Sequence, residues 1–253
     1  MAIKPLNPEE VVKMRKACRL AAETLVYIEK FIKPGITTNE IDQIVHDFTL
    51  SKGAVPAPLG YHGFPKSVCT SVNQVVCHGV PDSTVLKEGD IINVDVTPKI
   101  DGFFGDSSKT FMVGPVSEAA RNIVQAAEEA MMKGIEAITP HGTTGDIGFA
   151  INKYVTRRGY TSVIEIGGHG IGRTFHDEPY VPSVGKKGKG EVLIPYHCIT
   201  VEPMINEGTE KVKEFAIPGS NIKYYETADK KLSAQFEHTV LVTDTGYEIL
   251  TLI

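Results

Sequence analysis

Two helix starts stand 106 residues apart and carry the same punctuation. Thr37 and Thr143 each read as an N-cap, and an acid three residues on, Glu40 or Asp146, is placed to complete a capping box. Apolar stripes follow at helical spacing: Ile41, Ile44, Val45 and Phe48 in the first copy, Ile147, Ile151 and Tyr154 in the second. The same offset aligns Ile32 with Ile138, Pro34 with Pro140 and Gly53 with Gly159, without a gap. A longer helix precedes each copy. One opens on Asn7, Pro8 and Glu10 and carries Val11, Met14, Cys18, Ala21, Leu25, Ile28 and Ile32. The other opens on Ser117 and carries Ile123, Ala127, Met131 and Ile138. β-type sequence follows each helix pair: Lys66–His78, Ile91–Thr97 and Phe103–Val113, then Ser162–Ile166, Cys198–Ile205 and Gln235–Val242. The pattern predicts an α+β chain folded as a single domain from two like halves, about 8–114 and 115–253.

Each half offers a histidine, an acid and a second acid, in that order. His78-Gly79 matches His169-Gly170, and Asn93-Val94-Asp95 matches Thr200-Val201-Glu202. Asp106 and Glu237 each precede a further strand. His169 and His176 lie in Gly167–His176, which reads as a glycine-rich turn between two β-like runs. An acid in a β-patterned run needs a partner when buried. Halves facing each other across a pseudo-twofold would bring Asp95, Asp106, Glu202 and Glu237 to the centre, where with one histidine they suit a pair of divalent metals. Asp101-Gly102 is a turn signal. In a regular hairpin centred between Ile100 and Asp101, Asp95 and Asp106 lie opposite each other and repel unless a cation sits between them. The alternative is a slip at Pro98 that leaves both acids in water.

Other chemistries are disfavoured. The chain has 253 residues and a formal net charge of −5, which argues against a general nucleic-acid binder. No apolar run suits a signal peptide or a membrane span, and Cys18, Cys69, Cys77 and Cys198 show no C-x-x-C spacing, so a cytoplasmic protein with reduced thiols is expected. There is no H-E-x-x-H and no G-x-S-x-G. Oxygen-rich ligation suits manganese, iron(II), cobalt or zinc in a two-metal site better than a structural zinc site. Such metals stand about 3.5–4 Å apart and polarise a carbonyl. The basic run Gly185–Gly190 reads as a solvated turn. His46, His62, His141, His197 and His238 are expected to have no catalytic role; strand alternation turns His238 away from Glu237.

A run of matched segments then carries a resemblance: Gly60–Cys69, Val76–Pro81, Asp95, Asp106, Gly168–Gly172, Phe175–Pro179, Val201–Met204 and Ser233–Thr239. In this order, over nearly the whole chain, they resemble the type I methionine aminopeptidases in their short, bacterial-type form. The resemblance implies the pita-bread fold, in which two pseudo-twofold-related αβ halves set a central antiparallel sheet inside outer helices. It implies two divalent metal ions on Asp95, Asp106, His169, Glu202 and Glu237. Asp95 and Asp106 would serve the first metal and the bridge, His169 and Glu202 the other metal, and Glu237 the bridge again. His78 would contact the scissile amide nitrogen, His176 would steady the substrate carbonyl, and Glu202 would relay the proton. Tyr61, Phe64, Cys69 and Phe175 would wall a methionine pocket, where a thioether packs well on aromatic edges and sulfur. The implied reaction is removal of the initiator methionine from nascent polypeptides when the second residue is small. The partners are nascent N-termini, with the ribosome near the tunnel exit as a further one, and neither a membrane nor a nucleic-acid sequence. The chain departs from the family pattern in its lack of tryptophan, for which Tyr224 or Tyr225 would stand, and in Ile194–Thr200 and the loop from Ser183 to Glu191. Two rivals are a prolidase-like or Xaa-Pro aminopeptidase and a non-catalytic binding protein of the same fold.

Overall fold

Side-chain caps start the helices where the sequence puts them. In the computed structural model, which describes residues 4–253, α1 (Pro8–Glu29) opens on a reciprocal Asn7–Glu10 capping box. It ends a turn earlier than the apolar stripe suggests, because tight turns at Phe31 and Ile32 bring the chain round to Pro34. α2 (Thr38–Ser51) opens on Thr37 with Glu40, α3 (Glu118–Glu136) on Ser117, and α4 (Thr144–Thr156) on Thr143 with Asp146.

Between α2 and α3 run β1 (Val55–Pro56), β2 (Cys69–Val72), β3 (Val75–Cys77), β4 (Ile91–Val96), β5 (Pro98–Ile100), β6 (Phe103–Phe104) and β7 (Ser107–Met112). After α4 come β8 (Thr161–Ser162), β9 (Gly168–Ile171), β10 (Asp177–Val181), β11 (Cys198–Val201), β12 (Met204–Asn206) and β13 (Val212–Ala216). The chain closes with β14 (Lys223–Thr227), β15 (Ser233–Gln235), β16 (Glu237–Val242) and β17 (Tyr247–Ile249). The main sheet is antiparallel, in the order β10-β9-β11-β16-β7-β4-β2, with β17 on β16. Its seam is the β16–β7 pair, where Glu237 faces Ser108 and His238 faces Ser107. β7, β4 and β2 on one side of that seam mirror β16, β11 and β9 on the other.

Strand alternation then decides what the sheet shows to each side. Ile92, Val94, Val96 and Phe111 pack on Leu25, Ile28, Ile41 and Val45 of α1 and α2. Ile199, Val201 and Val240 pack on Ile123, Ala127, Ile135, Ile147 and Ile151 of α3 and α4. The intervening residues, Asn93, Asp95, Thr200 and Thr239 among them, therefore point away from the helices.

Two sequence expectations need correction. Asp101 and Gly102 both take positive φ (52° and 85°), a two-residue turn that pairs Ile100 with Phe103 and, further along, Asp95 with Ser108. Asp106 thus lies across from Thr97, not from Asp95; Asp106 is buried and Asp95 half-buried. Gly167–His176 is a turn only in its second part: Gly168–Ile171 forms β9, and Gly172–His176 turn the chain into β10. A Cβ at Gly168 would stand 2.2 Å from the Thr200 carbonyl oxygen, and one at Gly170 2.0 Å from that of Glu178. Those glycines let three strands approach closely.

The basic loop has exposed lysines, as expected of a solvated turn, but its backbone is tied to α4: Gly188 N–H donates to Asp146 at 2.9 Å, and Gly145 N–H to the Lys189 carbonyl at 2.9 Å. The four cysteines are buried free thiols. Among the described residues, no helix is long and apolar enough to cross a membrane.

Candidate metal centre

The face of the sheet turned from the helices carries a cavity of about 170 Å³. Asp95 comes from the end of β4, Asp106 from just before β7, Glu202 from just past β11 and Glu237 from the first position of β16. All four line the cavity, as do His78, His169, His176, Tyr61, Phe64, Cys69 and Phe175. The expected metal, catalytic and pocket-wall residues are therefore gathered here, Tyr224 and Tyr225 excepted. Asp106, His169 and Glu237 each offer a ligand atom, all within 4.8 Å of one another. His169 Nε2 stands 3.5 Å from Glu202 and 3.8 Å from Asp106, while Nδ1 lies 3.0 Å from the Gly170 carbonyl. That carbonyl only accepts, so Nδ1 carries the proton and the Nε2 lone pair faces the acids, the orientation a metal-bound imidazole has.

The electrostatics follow from burial without a counter-charge. Desolvation pushes Asp95 up to about 7 and Glu202 to about 8; Thr200 and the Asp95 charge act on Glu202 with smaller, opposed effects. Asp106 and Glu237 are raised well above the usual carboxylate range, by burial first and then by the neighbouring acids. Among the described residues, no lysine or arginine lines the cavity. Four such carboxylates with one imidazole fit a pair of divalent cations, whose charge supplies what the protein lacks. Burial depresses His169 to about 4 and His176 to about 3, so both rings are neutral at pH 7.

His78 sits apart from the acids' ligand cluster. It follows the end of β3 with φ 56°, and its Nδ1 lies 3.0 Å from the Lys223 carbonyl. His176 Nδ1 lies 2.9 Å from the Tyr61 hydroxyl, and its ring stacks on Phe175 at 4.3 Å. The five histidines expected to be inert stay outside the cavity; His238, for one, bonds Thr251 at 2.7 Å.

Sequence reasoning missed the residues that hold these side chains in place. The Thr97 hydroxyl donates to Asp106 at 2.9 Å. The Thr200 hydroxyl accepts the His169 N–H at 2.9 Å and donates to Glu202 at 2.8 Å. Gln235 Nε2 donates to the other Glu202 oxygen at 3.2 Å. One signal was available: Thr200 is two residues before Glu202, on the same face by strand alternation. Neither Tyr224 nor Tyr225, the residues expected to stand for a tryptophan, lines the cavity; Ile222 of the same hairpin lines it. Tyr224 instead stacks on Phe215 at 5.0 Å. A larger hollow of about 460 Å³ beside Thr38, Asp82, Asp90 and Glu226 lies away from this chemistry, and its acids are already paired within the chain.

Comparison with known proteins places this site in a family. A curated methionine aminopeptidase from Rickettsia prowazekii is 47% identical over 252 residues, covering 100% of this chain and 96% of that protein. The crystal structure of methionine aminopeptidase from Rickettsia prowazekii superposes with a TM-score of 0.96 over 99% of this chain and 100% of that one. A prolidase from Pyrococcus furiosus, 23% identical, superposes at 0.77 over 98% of this chain but only 65% of its own, a likeness of fold alone. The fold is the pita-bread fold these proteins share. The model of metallopeptidase family M24 matches residues 12–244, and the chain belongs to that family.

Proposed function

We propose that the chain is a metal-dependent methionine aminopeptidase: it hydrolyses the bond after an N-terminal methionine, acting on nascent polypeptides in the cytoplasm, and acts best when the second residue is small. The carrying observation is the convergence of four carboxylates, Asp106 and Glu237 buried and Asp95 and Glu202 half-buried, and the Nε2 of His169 on one cavity, in a chain that matches methionine aminopeptidases along its full length. The chain is read as one catalytic domain built from halves at about 8–114 and 115–253, with the acids of both meeting at the seam. The ribosome near the tunnel exit is the expected place of encounter.

Asp95, Asp106, His169, Glu202 and Glu237 would hold the two divalent ions. When bound, such a pair supplies Lewis-acid polarisation of the scissile carbonyl and lowers the pKa of water at the site. The chain's own groups do the rest. The two histidines beside the metal ligands are held by different partners, and this divides their labour. The Lys223 carbonyl can only accept, so His78 keeps its proton on Nδ1 and offers the Nε2 lone pair to the N–H of the scissile amide. The Tyr61 hydroxyl can donate to His176 Nδ1, which leaves Nε2–H to donate to the substrate carbonyl oxygen as negative charge develops there. Glu202, its two oxygens bonded by Thr200 and Gln235, is placed to relay a proton from water to the leaving amine. Tyr61, Phe64, Cys69 and Phe175 give the thioether its apolar, polarizable wall.

The test is turnover of Met-Ala-Ser by metal-loaded protein beside a matched Xaa-Pro peptide, with metal content measured on the same sample. Cleavage of Met-Ala-Ser and of Met-Gly or Met-Ser peptides, with Met-Lys and Met-Leu poor, is expected. Preference for the Xaa-Pro peptide would favour the prolidase-like reading; no turnover with bound metal would favour a binding protein.

A further inference from the structure

β13 and β14 pair from Val212 with Thr227 up to Ala216 with Lys223, and Ile217–Ile222 form the tip between them. A tip of Pro-Gly-Ser-Asn composition belongs in water, yet this one is fastened down. Asn221 N–H and the Ser220 hydroxyl both donate to the His62 carbonyl, at 2.9 and 3.1 Å. The contact with the Gly60–Phe64 turn is close: a Cβ at Gly63, where φ is +84°, would stand 2.3 Å from the Gly219 carbonyl oxygen. His62 itself holds a φ of 46°, rare for a residue with a side chain. Beneath this clasp Ile217, 4% exposed, packs with Phe64 and Cys69, and Ile222 packs beside them. Ile222 also lines the catalytic cavity. The next carbonyl, that of Lys223, is the one that holds His78.

We infer that this clasped tip gauges the length of the first residue's side chain, with Ile222 as the specificity-determining contact; the inference rests on the aminopeptidase reading above. A β-branched side chain has little χ1 freedom. Ile222 is therefore a stiff wall on a cavity of only about 170 Å³, fixed from behind by the clasp. Its neighbours Phe64 and Cys69 are the residues assigned above to the thioether, and Ile222 lines the same cavity beside them. A stiff wall rejects one extra methylene, a discrimination worth about 10–200-fold in kcat/KM.

The experiment compares Met-Ala-Ser with ethionine-Ala-Ser, which is one methylene longer, on metal-loaded wild type, Ile222→Ala and Ile222→Val. Wild type should prefer methionine. Ile222→Ala should shrink that preference by about 10-fold or more, and Ile222→Val should shrink it less in the same direction. An unchanged ratio, with both peptides slowed in parallel, would mean that the tip only steadies His78, and would overturn the gauge. If Ile222→Ala does not fold, the ratio in Ile222→Val decides alone. Wild type inactive on both peptides refutes the aminopeptidase reading itself and the gauge with it, whereas active wild type with an unmoved ratio refutes only the gauge.

Discussion

His78 and His169 match in sequence, each opening the histidine–acid–acid order of its half, but the fold places them differently. His169 lies within β9, held in line with β11 and β10 by glycines that let the backbones close up, and its Nε2 points at the acids. His78 lies just past β3, which leaves the main sheet to pair with β14, and its Nδ1 is taken by a carbonyl of that hairpin. The main sheet is near-symmetric about its seam and the bonding of the two imidazoles is not. The proposed hydrolysis assigns one imidazole to the metal and the other to the substrate. The extra hairpin in the second half makes the distinction, by reaching back to the histidine of the first.

The residue that belongs to both halves should matter most. Asp106 lies at the seam, its backbone N–H bonded to Thr239 of β16 at 3.3 Å and its carboxylate bonded to Thr97. Asp106→Asn keeps the shape and removes a negative ligand. Turnover should fall by roughly 10³-fold or more, beyond the 10–100-fold that loss of an outer hydrogen-bond partner costs. Circular dichroism should stay that of the wild type. Near-normal turnover with metal in excess would sink the two-metal reading.

The histidine pair tests the asymmetry directly. His78→Ala should cut kcat by about 10²–10³-fold, as loss of a group that bonds mainly in the transition state does, with metal content unchanged. His169→Ala should lose metal and regain part of its rate when metal is raised. If His78→Ala loses metal and is rescued by adding it, the two halves are chemically equivalent after all.

How much of this could be read in the chain depended on how local each signal was. The caps at Asn7, Thr37, Ser117 and Thr143 involve residues three apart, and they were legible. The acids stood out because a carboxylate in a β-patterned run is anomalous. The strand at Gly168–Ile171 was hidden, since glycine favours turns and only the nearness of Thr200 and Glu178 explains it. The register of Asp95 and Asp106 was misplaced by one residue at the turn centre, and so by two along the partner strand: centring it within Asp101-Gly102 puts Thr97 across from Asp106, which the sequence allowed. Ile222 could not be read at all, because its place depends on a clasp to His62, 160 positions away.

What the halves share is a buried acid without a counter-charge, and pH should expose it. Burial lifts Asp95 from 3.8 to about 7 in one half and Glu202 from 4.5 to about 8 in the other. Between those values the folded chain holds protons that the unfolded chain has released. The stability these acids contribute is therefore lost as pH rises towards 8, while the neutral buried rings of His169 and His176 act in the opposite sense below about 6.5 and no longer oppose it above. The Tm of chelator-treated protein should drop between about pH 6.5 and pH 8. A divalent ion, which binds the ionised form, should restore more Tm at pH 8 than at pH 5. A metal-free Tm that rises over this range would mean that these acids are not held in the protonated state.

The smallest effects compare the two capping boxes. Thr37 and Thr143 stand at the offset of 106, each bonded to an acid three residues on. Replacing either threonine by alanine should cost about 1 kcal/mol in urea unfolding, with no change in the metal site. The copies differ in what the acid does next. Among the described residues Glu40 bonds only within its box, whereas Asp146 also accepts the Gly188 N–H and so ties down the basic loop. Thr143→Ala frees Asp146 to move, and hydrogen exchange should quicken at Gly188 and its neighbours. Thr37→Ala should leave that loop alone. Equal exchange in both variants would show that the Gly145–Lys189 backbone bond, at 2.9 Å, holds the loop without help from the cap.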